Sequence, residues 1–110
     1  VRARRRGRRG HREEDDLDVM AAAIFEAELS TEQAADLARS MDEGRSTRPA
    51  GVIVATLLYD GVLARLVAVW QNRAVLDAYL AETDVPRGLE LMRKVGAEPR
   101  MTIVDVLEHA

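Results

Sequence analysis

Three aromatic side chains in the second half of the sequence could take part in chemistry on a flat organic molecule. Trp70 has a ring that can stack on a planar aromatic compound, or it can fill an ordinary hydrophobic core. Tyr59 and Tyr79 each carry a hydroxyl that can hydrogen-bond a phenol or quinone oxygen, or that can be held structurally. The sequence therefore offers these three residues as candidates for holding an aromatic ligand.

Arg65 is the one charged residue in an otherwise apolar segment, VLARLVAVW. A buried cation without a partner is costly, so the guanidinium must find an anion or water. Asp105, inside the last apolar segment, is the partner that we predict. The pair would be either a structural ion pair or, beside a substrate that ionises, a clamp in which Arg65 stabilises the oxyanion.

Residues that would build other kinds of active site are missing from the sequence. There is no cysteine, which excludes disulfides, thiolate metal sites and cysteine nucleophiles. Glycine-rich phosphate loops, HExxH motifs and nucleophile elbows are absent. The histidines, His11 and His109, lie near the chain ends, and the only asparagine, Asn72, is placed to cap a helix. We therefore predict no metal site.

The positions of the candidate residues depend on a run of predicted strands and helices. An apolar stretch over residues 18–29 suits a strand, and STEQ at residues 30–33 is a capping box that begins a helix ending at Gly44. Two apolar strands flank Asp60-Gly61, which is the pattern of a β-hairpin. Two helices and a strand follow, over residues 72–82, 86–95 and 101–107. This order predicts an α+β, ferredoxin-like βαββαβ antiparallel sheet with helices on one face.

The hairpin separates the two faces of the sheet. A two-residue turn at Asp60-Gly61 pairs Tyr59 with Val62, and the other pairs follow from it, Leu57 with Ala64 and Thr56 with Arg65. The face assigned to the helices contains Ile53, Ala55, Leu57, Tyr59, Val62, Ala64, Leu66, Ala68 and Trp70. The opposite face contains Val52, Val54, Thr56, Leu58, Leu63, Arg65, Val67 and Val69. An exposed apolar face of this kind is rare in a monomer, so we predict a homodimer joined through the sheets.

The charge distribution bears on other partners. Seven of the 16 basic residues are arginines within residues 2–12, whereas all 19 acidic residues come later. We predict a disordered tail over residues 1–17 and one domain over residues 18–110. Because no aromatic residue interrupts the arginines, nucleic-acid binding is the less favoured interpretation of the tail. No apolar segment reaches the length of a membrane span, and we expect a cytoplasmic protein.

Several of these segments resemble the antibiotic biosynthesis monooxygenase family, which lies within the dimeric α+β barrel superfamily. The resemblance covers residues 18–109 and rests on LSTEQAADLARSM as the first helix, VAVWQNRAVLDAYLAE around Trp70, and GAEPRMTIVDV as the closing strand. It implies a homodimer whose sheets face each other as a barrel. It also implies oxidation of an aromatic polyketide or a quinol by O₂, with no metal and no organic cofactor.

The helix-side face mixes the large Trp70 and Tyr59 with small alanines, so the helices either approach closely there or leave a pocket between helix and sheet. The predicted catalytic residues are Trp70, Tyr59 and Arg65, and the predicted substrate-binding residues are Trp70, Tyr59, Tyr79, Leu57 and Leu66. The chain departs from the family pattern because no predicted strand contains asparagine and no histidine is placed to hold haem iron. The alternative is a non-catalytic domain on the same barrel that binds a small molecule or a protein.

Overall fold

The structure is a computed structural model that describes residues 19–108. The predicted disordered tail, His11 and His109 lie outside this range. Within the described residues, no helix is both long enough and apolar enough to span a bilayer. The described residues therefore lie within the predicted domain.

Four strands and three α-helices follow one another in the predicted order. They are β1 (Ala21–Glu28), α1 (Thr31–Glu43), β2 (Val52–Tyr59), β3 (Leu63–Trp70), α2 (Arg73–Glu82), α3 (Arg87–Lys94) and β4 (Arg100–Asp105). A short 3₁₀ turn, Arg45–Thr47, follows α1. The sheet order is β2-β3-β1-β4 with every neighbouring pair antiparallel, so β3 lies between the two strands that α1 connects. The fold is the predicted α+β, ferredoxin-like sheet.

Local sequence signals explain where the helices begin. Ser30 accepts a hydrogen bond from the amide of Gln33, and the Gln33 side chain accepts one from the amide of Ser30, which completes the predicted capping box. Asn72 accepts a hydrogen bond from the amide of Val75 and caps α2, as predicted. These bonds satisfy amides that a helix cannot pair internally.

The helices cover one face of the sheet and form the core with it. Buried residues of the sheet on this side, Phe25 and Leu66 among them, contact buried residues of α1 and α3, including Leu37 and Met92. A second cluster joins Trp70 to α2. The core therefore lies in the single layer between the helices and the sheet.

The register of the hairpin differs from the prediction. Tyr59 pairs with Ala64 rather than with Val62, because the Asp60 carboxylate accepts hydrogen bonds from the amides of Leu63 and Val62. These two bonds hold the pKa of Asp60 below its usual range. They also move the turn one residue along the chain, which shifts each predicted pair by two residues. A shift of two does not by itself move a side chain to the other face.

A β-bulge in β2 corrects the predicted faces at the start of the strand. Val52 pairs with Trp70 and Val54 pairs with Val69, so Ile53 is an extra residue without a partner. Val52 consequently packs against the Trp70 cluster, whereas the sequence placed it on the opposite face. Ile53, which was predicted to face the helices, is 50% exposed. The alternation of side chains resumes after this point.

The other face of the sheet, here named the open face, is uncovered in the described chain. Leu58 and Val104 on this face are 50% and 40% exposed. One row across the open face is charged, because Glu26 of β1 lies between Arg65 of β3 and Arg100 of β4. The open face is thus an apolar surface with a charged row at one end.

Candidate active site

A cavity of about 200 Å³, partly open to solvent, lies between the sheet and the helices. Its floor is formed by apolar side chains of β1, β2 and β3. Its walls come from α1, α3 and the loop between α1 and β2. The lining residues are Phe25, Met41, Gly44, Arg45, Arg48, Pro49, Val52, Val54, Ala55, Leu66, Ala68, Arg87, Gly88 and Leu91. The predicted pocket also lies between helix and sheet, but near Trp70 and Tyr59, and neither of these residues lines the cavity.

Small residues account for the open space. Ala55 and Ala68 face each other on β2 and β3 and leave the floor of the cavity shallow. Gly88, in the first turn of α3, is buried directly against the ring of Phe25, and a Cβ at Gly88 would overlap that ring. The helix can therefore approach β1 closely at Gly88, while the alanines keep the neighbouring volume free of side chains.

Three arginines contribute the charged groups of the cavity lining. Arg87 donates hydrogen bonds to the carbonyl oxygens of Gly44 and Thr47, both at 2.9 Å, and so ties α3 to the end of α1. Arg45 forms an ion pair with Asp42 at 3.0 Å. Arg48 makes one long hydrogen bond, 3.4 Å, to the carbonyl of Ile53. The arginines thus differ in how much of their hydrogen-bonding capacity is already used.

Trp70 lies beside the cavity without lining it. Its side chain is 3% exposed and packs with Ala21 and Leu76. The rings of Trp70 and Tyr79 have their centroids 4.9 Å apart at an interplanar angle of 41°. Gly51, at φ +98°, lies against the indole, where a Cβ would be in close contact. In this arrangement the indole packs in a filled core.

Both tyrosine hydroxyls have backbone partners. The Tyr59 hydroxyl donates to the carbonyl of Leu29 at 2.8 Å. The Tyr79 hydroxyl accepts from the amide of Arg87, also at 2.8 Å, and thereby satisfies a free amide at the start of α3. Leu57 packs against the main core. Of the residues predicted to bind substrate, all within the described range, Leu66 alone lines the cavity.

The predicted ion pair between Arg65 and Asp105 is wrong. Arg65 binds Glu26 at 2.6 Å, and Arg100 binds the other oxygen of the same carboxylate at 2.7 Å. Asp105 lies 3.6 Å from Arg73 instead. The cause is the sheet order, since β1 lies between β3 and β4 and supplies a nearer acid. Hydrogen bonds from Arg100 and Arg65 hold the pKa of Glu26 below its usual range, and the group lies on the open face, away from the cavity.

Residues that sequence reasoning missed make up most of the cavity. Phe25 had a usable signal, because strand alternation places it on the helix face beside Leu66. Arg48 and Arg87 lie in a loop and a helix separated by 39 positions, and nothing local indicates that both line one cavity. Across residues 19–108 there is also no group of three or more His, Cys, Asp or Glu side chains that could hold a metal ion.

Solved structures share the fold of this chain. A candidate antibiotic biosynthesis monooxygenase from Caulobacter crescentus is 14% identical over 90% of this chain and 100% of its own, with a TM-score of 0.56. Another from Chloroflexus aurantiacus is 18% identical over 83% of this chain and 96% of its own, also at 0.56. SnoaB from Streptomyces nogalater, a cofactor-independent oxygenase, is 12% identical over 84% and 96%, at 0.54. The sequence matches no family model and no curated protein.

The chain therefore has the fold of the antibiotic biosynthesis monooxygenases, as the sequence resemblance implied. Identities between 12% and 18% establish this common fold and nothing finer. The chemistry of the cavity has to be argued from its own residues.

Proposed function

We propose that this protein is a small cofactor-independent monooxygenase that acts on an aromatic polyketide or a quinol-type substrate. One observation carries the proposal: a largely apolar cavity with arginines in its lining lies between helices and sheet, in a fold shared with a cofactor-independent oxygenase. An apolar cavity with a few convergent polar groups is the usual form of a small-molecule site.

The reaction requires a substrate that supplies its own electrons. Loss of a proton from a quinol or its keto tautomer gives an anion whose carbon adds O₂, and the resulting hydroperoxide loses water to leave a carbonyl. In sum, a CH₂ group and O₂ become C=O and H₂O, so two electron pairs pass from the substrate to oxygen. The cationic lining would stabilise the anion, and the apolar floor would strengthen that effect by excluding water.

Under this proposal, the residues that line the cavity contact the substrate. Leu66 keeps its predicted role, and Phe25 joins it as the aromatic part of the floor. Trp70 and Tyr79 act through packing, because they hold α2 and the start of α3 in place. The cationic lining of the cavity takes the part of oxyanion stabiliser that the sequence assigned to Arg65, which lies on the open face bound to Glu26.

We also propose that the protein is a homodimer joined through the open face. The support is the exposure of large apolar side chains there, such as Leu58 and Val104. Val67→Glu, near the middle of the open face, should give a monomer in sedimentation velocity. Val62→Glu, at the exposed hairpin turn, is the matched control and should remain a dimer. A wild-type monomer at all concentrations would contradict this arrangement.

Oxygen transfer can be tested with ¹⁸O₂ and 1,4-dihydroxynaphthalene, a two-ring quinol. Monooxygenation gives 2-hydroxy-1,4-naphthoquinone and water, with one ¹⁸O atom in the product. Uncatalysed oxidation gives 1,4-naphthoquinone and hydrogen peroxide, with no label in the quinone. We expect labelled product above the level obtained with heat-denatured protein. If neither this quinol nor any of a panel of larger polycyclic phenols gave labelled product, the oxygenase proposal would be refuted.

A second candidate is a non-catalytic domain that binds a small molecule in the same cavity. It is favoured by the absence of a proton acceptor among the cavity side chains within residues 19–108, since the charged groups there are arginines. Tyr59 and Tyr79 already have backbone partners. Saturable binding of the quinol under anaerobic conditions, with no oxygen uptake in air, would support this alternative.

A further inference from the structure

We propose that the cavity takes a monoanionic aromatic ligand and that Arg48 binds its carboxylate. The inference names the ligand class of the cavity on which the proposed function rests. It depends on the charge of the lining, on the hydrogen-bonding state of each arginine, and on the size and polarity of the remaining wall.

The charge of the lining has one sign. Arg45, Arg48 and Arg87 all contribute to the cavity, and no aspartate or glutamate of residues 19–108 lines it. An anionic ligand would therefore be attracted to the lining, and a cationic ligand would be repelled by it. A guanidinium also matches the geometry of a carboxylate, because two N–H groups can bind its two oxygens.

Arg48 is the arginine with most capacity left for a ligand. Arg87 already holds two backbone carbonyls, and Arg45 already pairs with Asp42. Among the described residues, Arg48 makes one hydrogen bond, at 3.4 Å to the carbonyl of Ile53, and no ion pair. Arg48 can therefore turn toward a bound anion without breaking a structural bond of comparable strength.

The rest of the wall selects an apolar, flat body. Phe25 presents an aromatic ring, and Leu66, Ala68 and Leu91 are aliphatic. A cavity of about 150 Å³ is large enough for benzene, so about 200 Å³ with one open side suits one or two fused rings. An inorganic anion alone would reach the arginines and leave this apolar surface wet. The combination favours an aromatic carboxylate over phosphate or sulfate.

Isothermal titration calorimetry on the full chain can test the inference with three two-ring probes. They are 2-naphthoate, 2-naphthylmethanol and 2-naphthylmethylammonium, which share the ring system and differ in charge. We expect 2-naphthoate to bind about tenfold more tightly than the alcohol, and the ammonium compound to bind least. Raising the salt concentration should lower the affinity for 2-naphthoate and leave the affinity for the alcohol unchanged.

Arg48→Met should lower the affinity for 2-naphthoate about tenfold and leave the alcohol unaffected, because it removes the anion contact and keeps an apolar stem. Arg39→Met is the matched control, since Arg39 is an exposed arginine of α1 outside the cavity that pairs with Asp36. It removes the same charge and should change neither affinity.

Equal binding of the acid and the alcohol would overturn the inference. An equal effect of Arg48→Met and Arg39→Met would do the same, because net charge alone would then explain the preference. Absence of binding by all three probes would also overturn it. The ¹⁸O₂ experiment with a neutral quinol is independent of each of these results, so a failure here is distinguishable from a failure of the oxygenase proposal.

Discussion

Replacing Ala68 with leucine tests whether the cavity has room for a larger side chain. Ala68 lies on β3, faces the helices and lines the cavity floor. Ala64 lies on the same strand and the same face, but its side chain is fully buried in the packed core and does not line the cavity. Ala64→Leu is therefore the matched control, because it adds the same atoms where no space is available.

The expected difference follows from the environment of each side chain. Leucine adds three carbon groups, and burial of each contributes about 0.8 kcal/mol. Loss of side-chain freedom costs about 0.5–1 kcal/mol, so Ala68→Leu should stabilise the protein by up to about 1.9 kcal/mol. Ala64→Leu should destabilise it by about 1–3 kcal/mol, because well-packed cores do not accept extra carbon groups without strain.

Urea denaturation at one fixed protein concentration measures this difference. Trp70 is the only tryptophan, so its fluorescence reports the unfolding of the core. Ala68→Leu should also abolish 2-naphthoate binding, because the leucine side chain would occupy the floor. Equal destabilisation by both variants would refute the reasoning, since it would mean that the space beside Ala68 is closed in solution.

Three further predictions concern stability. Ser30→Ala should cost about 1 kcal/mol by removing a helix cap, while Ser46→Ala in the exposed turn should cost nothing measurable in urea. The pKa of Glu26 lies below its usual 4.5 in the folded state, so the ionised carboxylate stabilises the fold above pH 4.5 and this contribution is lost as the pH falls through the pKa of the folded state. In Glu26→Gln the melting temperature should therefore fall less steeply in acid than in the wild type. Gly88→Ala should cost about 1–3 kcal/mol despite the higher helix propensity of alanine, because the Cβ overlaps Phe25; a gain in stability would contradict that contact.

The fold was predictable because its signals are local or periodic. The capping box at Ser30 and the cap at Asn72 need only a few neighbouring residues, and both formed as predicted. Alternation assigned most strand residues to the correct face even though the predicted hairpin register was off by two. The bulge at Ile53 could not be predicted, because an extra residue in an edge strand leaves no mark on the apolar pattern.

The site was less predictable because it depends on contacts between distant segments. The sequence predicts Asp105 as the ion-pair partner of Arg65 because each is a charged residue in an apolar strand. The actual partner depends on which strand lies between β3 and β4 in the sheet. Glu26 occupies that position and takes both arginines. The cavity, similarly, results from small residues on β2, β3 and α3 that come together only in the folded chain.

Trp70 and Tyr79 contribute to the candidate site through packing and not through contact with a ligand in the cavity. Trp70 supports Tyr79, whose hydroxyl accepts a hydrogen bond from the backbone of Arg87. The Arg87 guanidinium then binds the carbonyls of Gly44 and Thr47 beside the cavity. This chain of contacts links α1, α2 and α3 and so positions the walls of the cavity. A cavity that is positioned before binding loses less entropy when a ligand enters. Among the described residues, Arg48 is the lining arginine with the weakest contact, so it can adjust to the ligand.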